Sequence, residues 1–246
     1  MNLRSVLCSL FFALSVPAAA SAQAPAPPVG ARPRAEPVPV HASGAVARLL
    51  VGPGGRARGF ALTDGTVVFV GRGAEDLASR VRPGVAVQVD GFARPGAPSI
   101  VHRATVRAQD GTVLVQAPAG PPPGARQGPR GEGHRGRFGR RGAMQARLQA
   151  LPAHTSRGTV QQVVSGPHGA PRMLLLSDGS TAYLRPRLAQ AVARHGVRSG
   201  DTVTVDGRGS PGPSGVGVAA ERVTFADGTA VTAPAPAVGS PSGRRR

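Results

Sequence analysis

The chain has no lysine, no tryptophan and a single cysteine. Aromatic residues make up 3% of it, and 12 acidic residues face 30 basic ones, all arginine. Each scarcity excludes something. Cys8 lies within the first 22 residues, so the rest of the chain offers no disulfide, thiolate ligand or thiol nucleophile. Single-stranded nucleic acid normally needs aromatic stacking platforms. Here the folded parts offer Phe60, Phe69, Phe92, Tyr183 and Phe225, several of them needed for cores, so no specific nucleic acid is expected. No apolar run after the N-terminus is long enough to span a bilayer. Nucleophile-elbow, H-E-x-x-H and P-loop patterns are missing, and His41, His102, His134, His154, His168 and His195 show no metal-ligand spacing. No catalytic residue, metal or cofactor is expected. Arginine used throughout in place of lysine is a trait of GC-rich coding sequence and argues only weakly for guanidinium-specific recognition.

What is present is a repeat. Phe60 to Val70, FALTDGTVVFV, reads as two apolar β-prone runs around Asp-Gly, a strong signal for a tight type I′ hairpin. Most of it returns at Leu174 to Leu184, LLLSDGSTAYL, 114 residues later. Gly52-Pro53 and Gly166-Pro167 precede the two at the same offset. A helical pattern follows each, then an alternating strand ending in Asp-Gly: Val85 to Gly91 and Asp201 to Gly207. One module of roughly 75 residues is therefore used twice, each copy long enough for a modest core.

In the first module, 44–118, strands are expected at Ala45 to Val51, Arg58 to Thr63, Thr66 to Gly71, Val85 to Asp90 and Ser99 to Arg107. A short helix is expected at Glu75 to Val81, and Asp110-Gly111 turns into a short terminal strand. Val85, Val87 and Val89 alternate toward the interior. In the second, 158–233, strands are expected at Thr159 to Ser165, within Arg172 to Leu184, at Thr202 to Asp206 and at Val216 to Phe225. Val203 and Val205 point inward. Pro186 to His195 is a helix, with Pro186 suited to its first turn and Gly196 to its C-cap. Three strands, a helix and two strands is the order of the OB-fold, a small Greek-key barrel. The fold class is all-β: two five-stranded OB-like barrels joined by a basic linker.

Gly44-Ala45-Val46 and Gly158-Thr159-Val160, the two Asp-Gly hairpins, and Gly84 to Gly91 with Gly200 to Gly207 form a shared pattern. G-x-V, a central D-G hairpin and G-x-x-V-x-V-x-G resemble a family of bacterial exported, periplasmic OB-fold domains of unknown function, here as a tandem repeat. The resemblance covers both modules, and its motifs mark fold rather than activity. It implies non-catalytic binding modules connected with envelope stress or with small cationic or glycan ligands.

Residues 1–22 read as a secretory signal: Arg4 in a short n-region, an apolar stretch to Val16, and Ala20-Ser21-Ala22 before the expected cut. The expected location is the periplasm or outside the cell. An Ala/Pro-rich tail, 23–43, a Gly/Pro/Arg-rich linker, 119–157, and a tail, 234–246, are expected to lack structure, apart from two helical turns at Ala143 to Leu151. The linker holds eight Arg against Glu132, the densest share of a net charge of +18. Arg130, Arg135, Arg137, Arg140 and Arg141 are its candidate polyanion-binding residues, since such segments bind through charge with little sequence choice. OB-folds also bind through the face of strands 2–3 and the loops joining strands 1–2 and 4–5. Arg56, Arg58 and Arg94 in the first copy, and Arg172, Arg185 and Arg208 in the second, are the candidates there. An isolated His102, on the face of Ile100 and Ala104, is expected to be a barrel-end histidine; Ala219 takes its place in the second copy. Two partners stay open: an anionic envelope polymer, lipid headgroup or glycan, or an envelope protein on which the barrels dock while the charge is incidental.

Overall fold

The computed structural model describes residues 36–71, 76–117, 134–166 and 169–233, and of 134–141 the backbone alone. In barrel 1 the elements are β1 (Val38–Val51), β2 (Ala57–Leu62), β3 (Val67–Phe69), α1 (Leu77–Arg80), β4 (Ala86–Arg94), β5 (Ala97–Ala108) and β6 (Val113–Val115). Then come α2 (His134–Gln149) and barrel 2: β7 (Ala153–Ser165), β8 (Pro171–Leu176), β9 (Thr181–Leu184), α3 (Pro186–His195), β10 (Thr202–Gly212), β11 (Gly215–Phe225) and β12 (Ala230–Thr232). Strand order is β3-β2-β1-β4-β5, closed by parallel pairing of β3 with β5. In barrel 2 it is β9-β8-β7-β10-β11, closed by parallel pairing of β9 with β11. Both are closed five-stranded barrels of the expected OB-like order, and β6 and β12 add a short edge strand to each.

Each barrel has its own core. Val46, Leu49, Phe60, Leu62, Val68, Val87, Val89, Val101 and Val106 fill the first, with Leu77 and Val81 from the α1 segment. Val160, Leu174, Leu176, Val203, Val205, Val218 and Val223 fill the second, closed by Leu188 and Val192 of α3. The α3 boundaries match expectation: Pro186 stands in the first turn, and Gly196, at φ +83°, donates to the carbonyls of Val192 and Ala193. Val87 and Val89 are each 1% exposed, but Val85 is 37% exposed and turned outward. It ends a turn in which its N–H reaches the Arg82 carbonyl, so the alternation starts one residue later than its spacing suggests.

The Asp-Gly hairpins use a different turn from type I′. Among the described residues only Gly65 and Gly179 of the two pairs have positive φ, +86° and +87°. Gly65 N–H donates to the Leu62 carbonyl and Leu62 N–H to the Thr66 carbonyl, a three-residue loop with a left-handed glycine last. The same bonding recurs at Asp110-Gly111, Asp178-Gly179 and Asp227-Gly228. Each aspartate accepts the N–H two residues on, from Thr66, Thr112, Ser180 and Thr229. Side-chain bonding to its own turn thus supplies the reason for aspartate at that place. These backbone bonds hold the Asp110 and Asp227 carboxyls below the ordinary range, helped by the Thr112 and Thr229 side chains.

Three segments carry more structure than composition suggested. Residues 38–43, expected in a structureless tail, form the first half of β1 and pair with β4 from Val38↔Ala93 to Ala45↔Ala86. Residues 153–157, expected in the linker, begin β7 and pair with β10. Both extensions exist because β4 and β10 run on to Arg94 and Gly212 and present a ladder to be filled. Each carries a cross-strand tie at equivalent places: His41 Nδ1 to Asp90 Oδ1 at 2.6 Å, and Thr155 Oγ1 donating to Asp206 Oδ1 at 2.7 Å. The third is α2, which covers 134–142 as well as most of the two helical turns expected at Ala143 to Leu151. Arg, Ala, Met, Gln and Leu are good helix formers and outweigh its three glycines. Residues 23–35, 118–133 and 234–246 lie outside the described residues.

Candidate binding surfaces

The barrels belong to one compact unit, Arg34–Arg246, and they meet through the faces expected to hold ligand. β2 and β8 read as nearly unbroken apolar runs, GFAL and PRMLLL, and their outward residues are buried with their inward ones. Leu50, Ala61, Val67, Ala97 and Ile100 from barrel 1 form one apolar cluster with Val164, Met173 and Leu175 from barrel 2, flanked by Phe69 and Tyr183. Leu50 and Val164, and likewise Ala61 and Leu175, stand at matching places in the repeat, so the docking is a pseudo-twofold contact of a module with its copy. Polar ties obey the same relation. Arg48 reaches the second hairpin turn, donating Nη1 to the carbonyl of Leu176 at 2.8 Å and Nη2 to those of Gly179 at 2.8 Å and Ser180 at 2.9 Å. Its Nη1 also donates to Gln161 Oε1 at 3.0 Å. Gln162, the residue matching Arg48, donates from Nε2 to the Gly65 carbonyl of the first hairpin turn at 2.6 Å. Burial pulls the Arg48 guanidinium below its ordinary value and the field of Asp178 pulls it back.

The loop between β1 and β2 is also occupied. Gly52 and Gly55 lie against the β10–β11 hairpin so closely that a Cβ on Gly217 would overlap the Gly52 carbonyl oxygen. Ser214 Oγ donates to the Leu49 carbonyl at 3.0 Å. The groove that a lone OB barrel offers between its strand 2–3 face and its loops is therefore filled by the sister barrel.

The candidate arginines separate into groups. Arg208 is not in a loop: it stands within β10, donates Nη1 to the carbonyls of Gln149 at 3.0 Å and Leu151 at 3.1 Å, and its Nε is 3.5 Å from Glu221 Oε1. It fastens the C-terminal end of α2 to barrel 2. Arg185 is the half-buried residue before α3, and its carbonyl accepts the Ala189 N–H. Arg56 is exposed in the β1–β2 loop and closes it with its carbonyl. Arg94 ends β4 rather than standing in a loop, because the β4–β5 connection is only Pro95-Gly96. Arg58, Arg94 and Arg172 are exposed, and none makes a hydrogen bond or ion pair with another described residue. Arg58 acts on Tyr183, whose hydroxyl burial pushes up to about 12 against the pull of that guanidinium. Arg94 and Arg172 both act on His102. Arg135, Arg137, Arg140 and Arg141 belong to α2, and Arg130 lies outside the described residues.

His102 is half-buried at the rim of barrel 1 and stacks on Phe69, ring centres 5.5 Å apart and planes within 12°. Phe69 pairs with it across β3–β5 and Phe92 across β4–β5, so three rings make a row on the outer surface. Two surface depressions of about 620 and 410 Å³ lie on barrel 2, lined in part by Gln190 and Arg194 and by His195, Arg198 and Asp227. Neither includes a candidate arginine. Among the described residues no three His, Asp or Glu side chains gather as a metal site would need.

Spacing alone missed Arg48 and Gln162. Their signal was a polar residue at the same place in both copies, two positions before an outward-facing Leu50 or Val164. Compared with protein-family models, curated proteins and solved structures, the chain finds no match.

Proposed function

We propose that this is an exported, non-catalytic tandem-barrel binding protein, and that its ligand is an anionic polymer or headgroup surface of the cell envelope. The observation that carries the reading is α2: 16 residues, five arginines and no acidic side chain. It continues an Arg-rich stretch and is fastened to barrel 2 at its C-terminal end. The mutual docking of the barrels supports the same reading, since it occupies the groove a small OB ligand would use. Helical geometry places the Cα atoms of Arg137, Arg140 and Arg141 within about 100° of arc. Arginine guanidiniums suit repeated phosphates, sulfates or carboxylates. Export rests on the N-terminal pattern, and membership in the exported OB-domain family rests on the paired motifs.

The test is a salt series on heparin and on anionic vesicles, comparing the parent with a variant in which Arg135, Arg137, Arg140 and Arg141 are Gln. The variant should lose about three units of slope in log affinity against log salt. Its melting temperature should hold, because barrel cores and docking contacts are untouched. An unchanged slope would refute the electrostatic reading and favour a docking module for an envelope protein.

A further inference from the structure

We propose that Arg94 of barrel 1 and Arg172 of barrel 2, with His102 beside them, form a discrete site for a phosphoryl group, completed only where the two barrels meet. Position argues for it first. The β4–β5 ladder sets Phe92 opposite His102, and Arg94 follows two residues later, past a register shift that pairs it with Ala97. Arg172 arrives from the start of β8 in the other barrel. Its side chain lies along Gly166, where a Cβ would come within 2.7 Å of Cδ. The imidazole is held by its stack on Phe69.

Charge argues second. The charged groups acting on the ring are Arg94 from β4 and Arg172 from β8, and no carboxylate among the described residues offsets them there. Burial, then Arg94, then Arg172 depress the imidazole below its usual value. Two exposed guanidiniums with no partner among the described residues, beside an imidazole they repel, form a cationic notch that a dianion would relieve.

The pseudo-twofold supplies a built-in control. At the related place Tyr183 stands for Phe69 and Ala219 for His102, paired across β9–β11 as the originals are across β3–β5. Ser210 stands at the repeat place of Arg94 and Arg58 at that of Arg172, while Arg208, at the place of Phe92, is already committed to Gln149, Leu151 and Glu221. Among the described residues, only one of the two seams therefore has the imidazole and two uncommitted guanidiniums. The site is separate from the Arg-rich helix, and its ligand is a single group rather than a polymer.

Inorganic phosphate is the probe, titrated into the full chain at constant ionic strength against chloride, with histidine ring resonances followed by NMR and His102 assigned through His102→Gln. Phosphate should shift the His102 ring saturably and raise its titration midpoint by about one pH unit, since a nearby opposite charge favours the charged form. Arg172→Gln and Arg94→Gln should each weaken phosphate at least tenfold without changing the melting temperature or heparin retention. The four-arginine helix variant should bind phosphate as the parent does. A sugar phosphate that competes would place the source in the envelope's glycans, whereas a phosphatidic acid vesicle that competes would place it in lipid. Equal small shifts at several histidines, or unchanged affinity in both single variants, would overturn the site. Loss of the phosphate shift in the helix variant would assign it to the helix instead.

Discussion

Arg48 offers the most direct test of the barrel docking. Truncation to Ala removes bonds to the carbonyls of Leu176, Gly179 and Ser180 and to the Gln161 side chain. Hydrogen bonds to a charged donor are worth about 1.5–3 kcal/mol each, before the cost of taking the guanidinium out of water. That cost is real here, because burial depresses its pKa and Nε finds no partner among the described residues. The Leu176 carbonyl keeps the Gly179 N–H as a second donor. A net loss of about 2–4 kcal/mol is expected from the balance. For a folded unit of this size that lowers the melting temperature by roughly 5–15 °C. Gln162→Ala removes a single neutral bond, to the Gly65 carbonyl, and should cost only about 0.5–1.5 kcal/mol. The assay is calorimetry on the parent and both single variants. Arg48→Ala should split or broaden one transition, as the barrels begin to melt separately, while Gln162→Ala shifts it slightly. If Arg48→Ala melts with the parent, or costs less than Gln162→Ala, the docking described above is wrong.

Val87→Asp places an unpaired carboxylate at a position 1% exposed in barrel 1, and should cost more than about 3 kcal/mol by urea unfolding. Gly217→Ala pushes a methyl into the carbonyls of Gly52 and Val51 across the seam, and should destabilise by about 1–3 kcal/mol; Gly142→Ala, which meets open space in α2, should not destabilise. His102 is depressed in the folded chain, so the unfolded chain binds more protons below the ordinary histidine value. Its contribution to stability is therefore complete at higher pH and declines as pH falls through the unfolded value toward the folded one. His102→Gln should flatten that part of a stability–pH profile measured by chemical denaturation.

Much of the fold was legible because its causes are local. An aspartate bonds its own turn and a glycine accepts positive φ, so the hairpins at Asp64-Gly65, Asp110-Gly111 and Asp178-Gly179 announced themselves, although the loop proved one residue longer than the pair implied. Pro186 and Gly196 bracket α3 for similarly local reasons, and the alternation at Val87, Val89, Val203 and Val205 marked the barrel interiors. The repeat itself argued for two barrels. What tertiary structure decided were the pairings whose benefit lies far along the chain. Val38 to Ser43 is a strand only because β4 extends beside it, and composition alone reads as tail. Val85 fell outside the alternation because a turn ends there. The arginines show the same division: their number and density were plain in the sequence, but whether each is free depends on its surroundings. Arg208 is spent on the end of α2, Arg48 on a hairpin turn more than a hundred residues away, while Arg94 and Arg172 come together from different barrels. The docking left one trace, the unbroken apolar runs of β2 and β8. Strands buried on both faces lose their alternation, but what covers the outer face is a matter of which surface folds against it, and no periodicity within a strand records that.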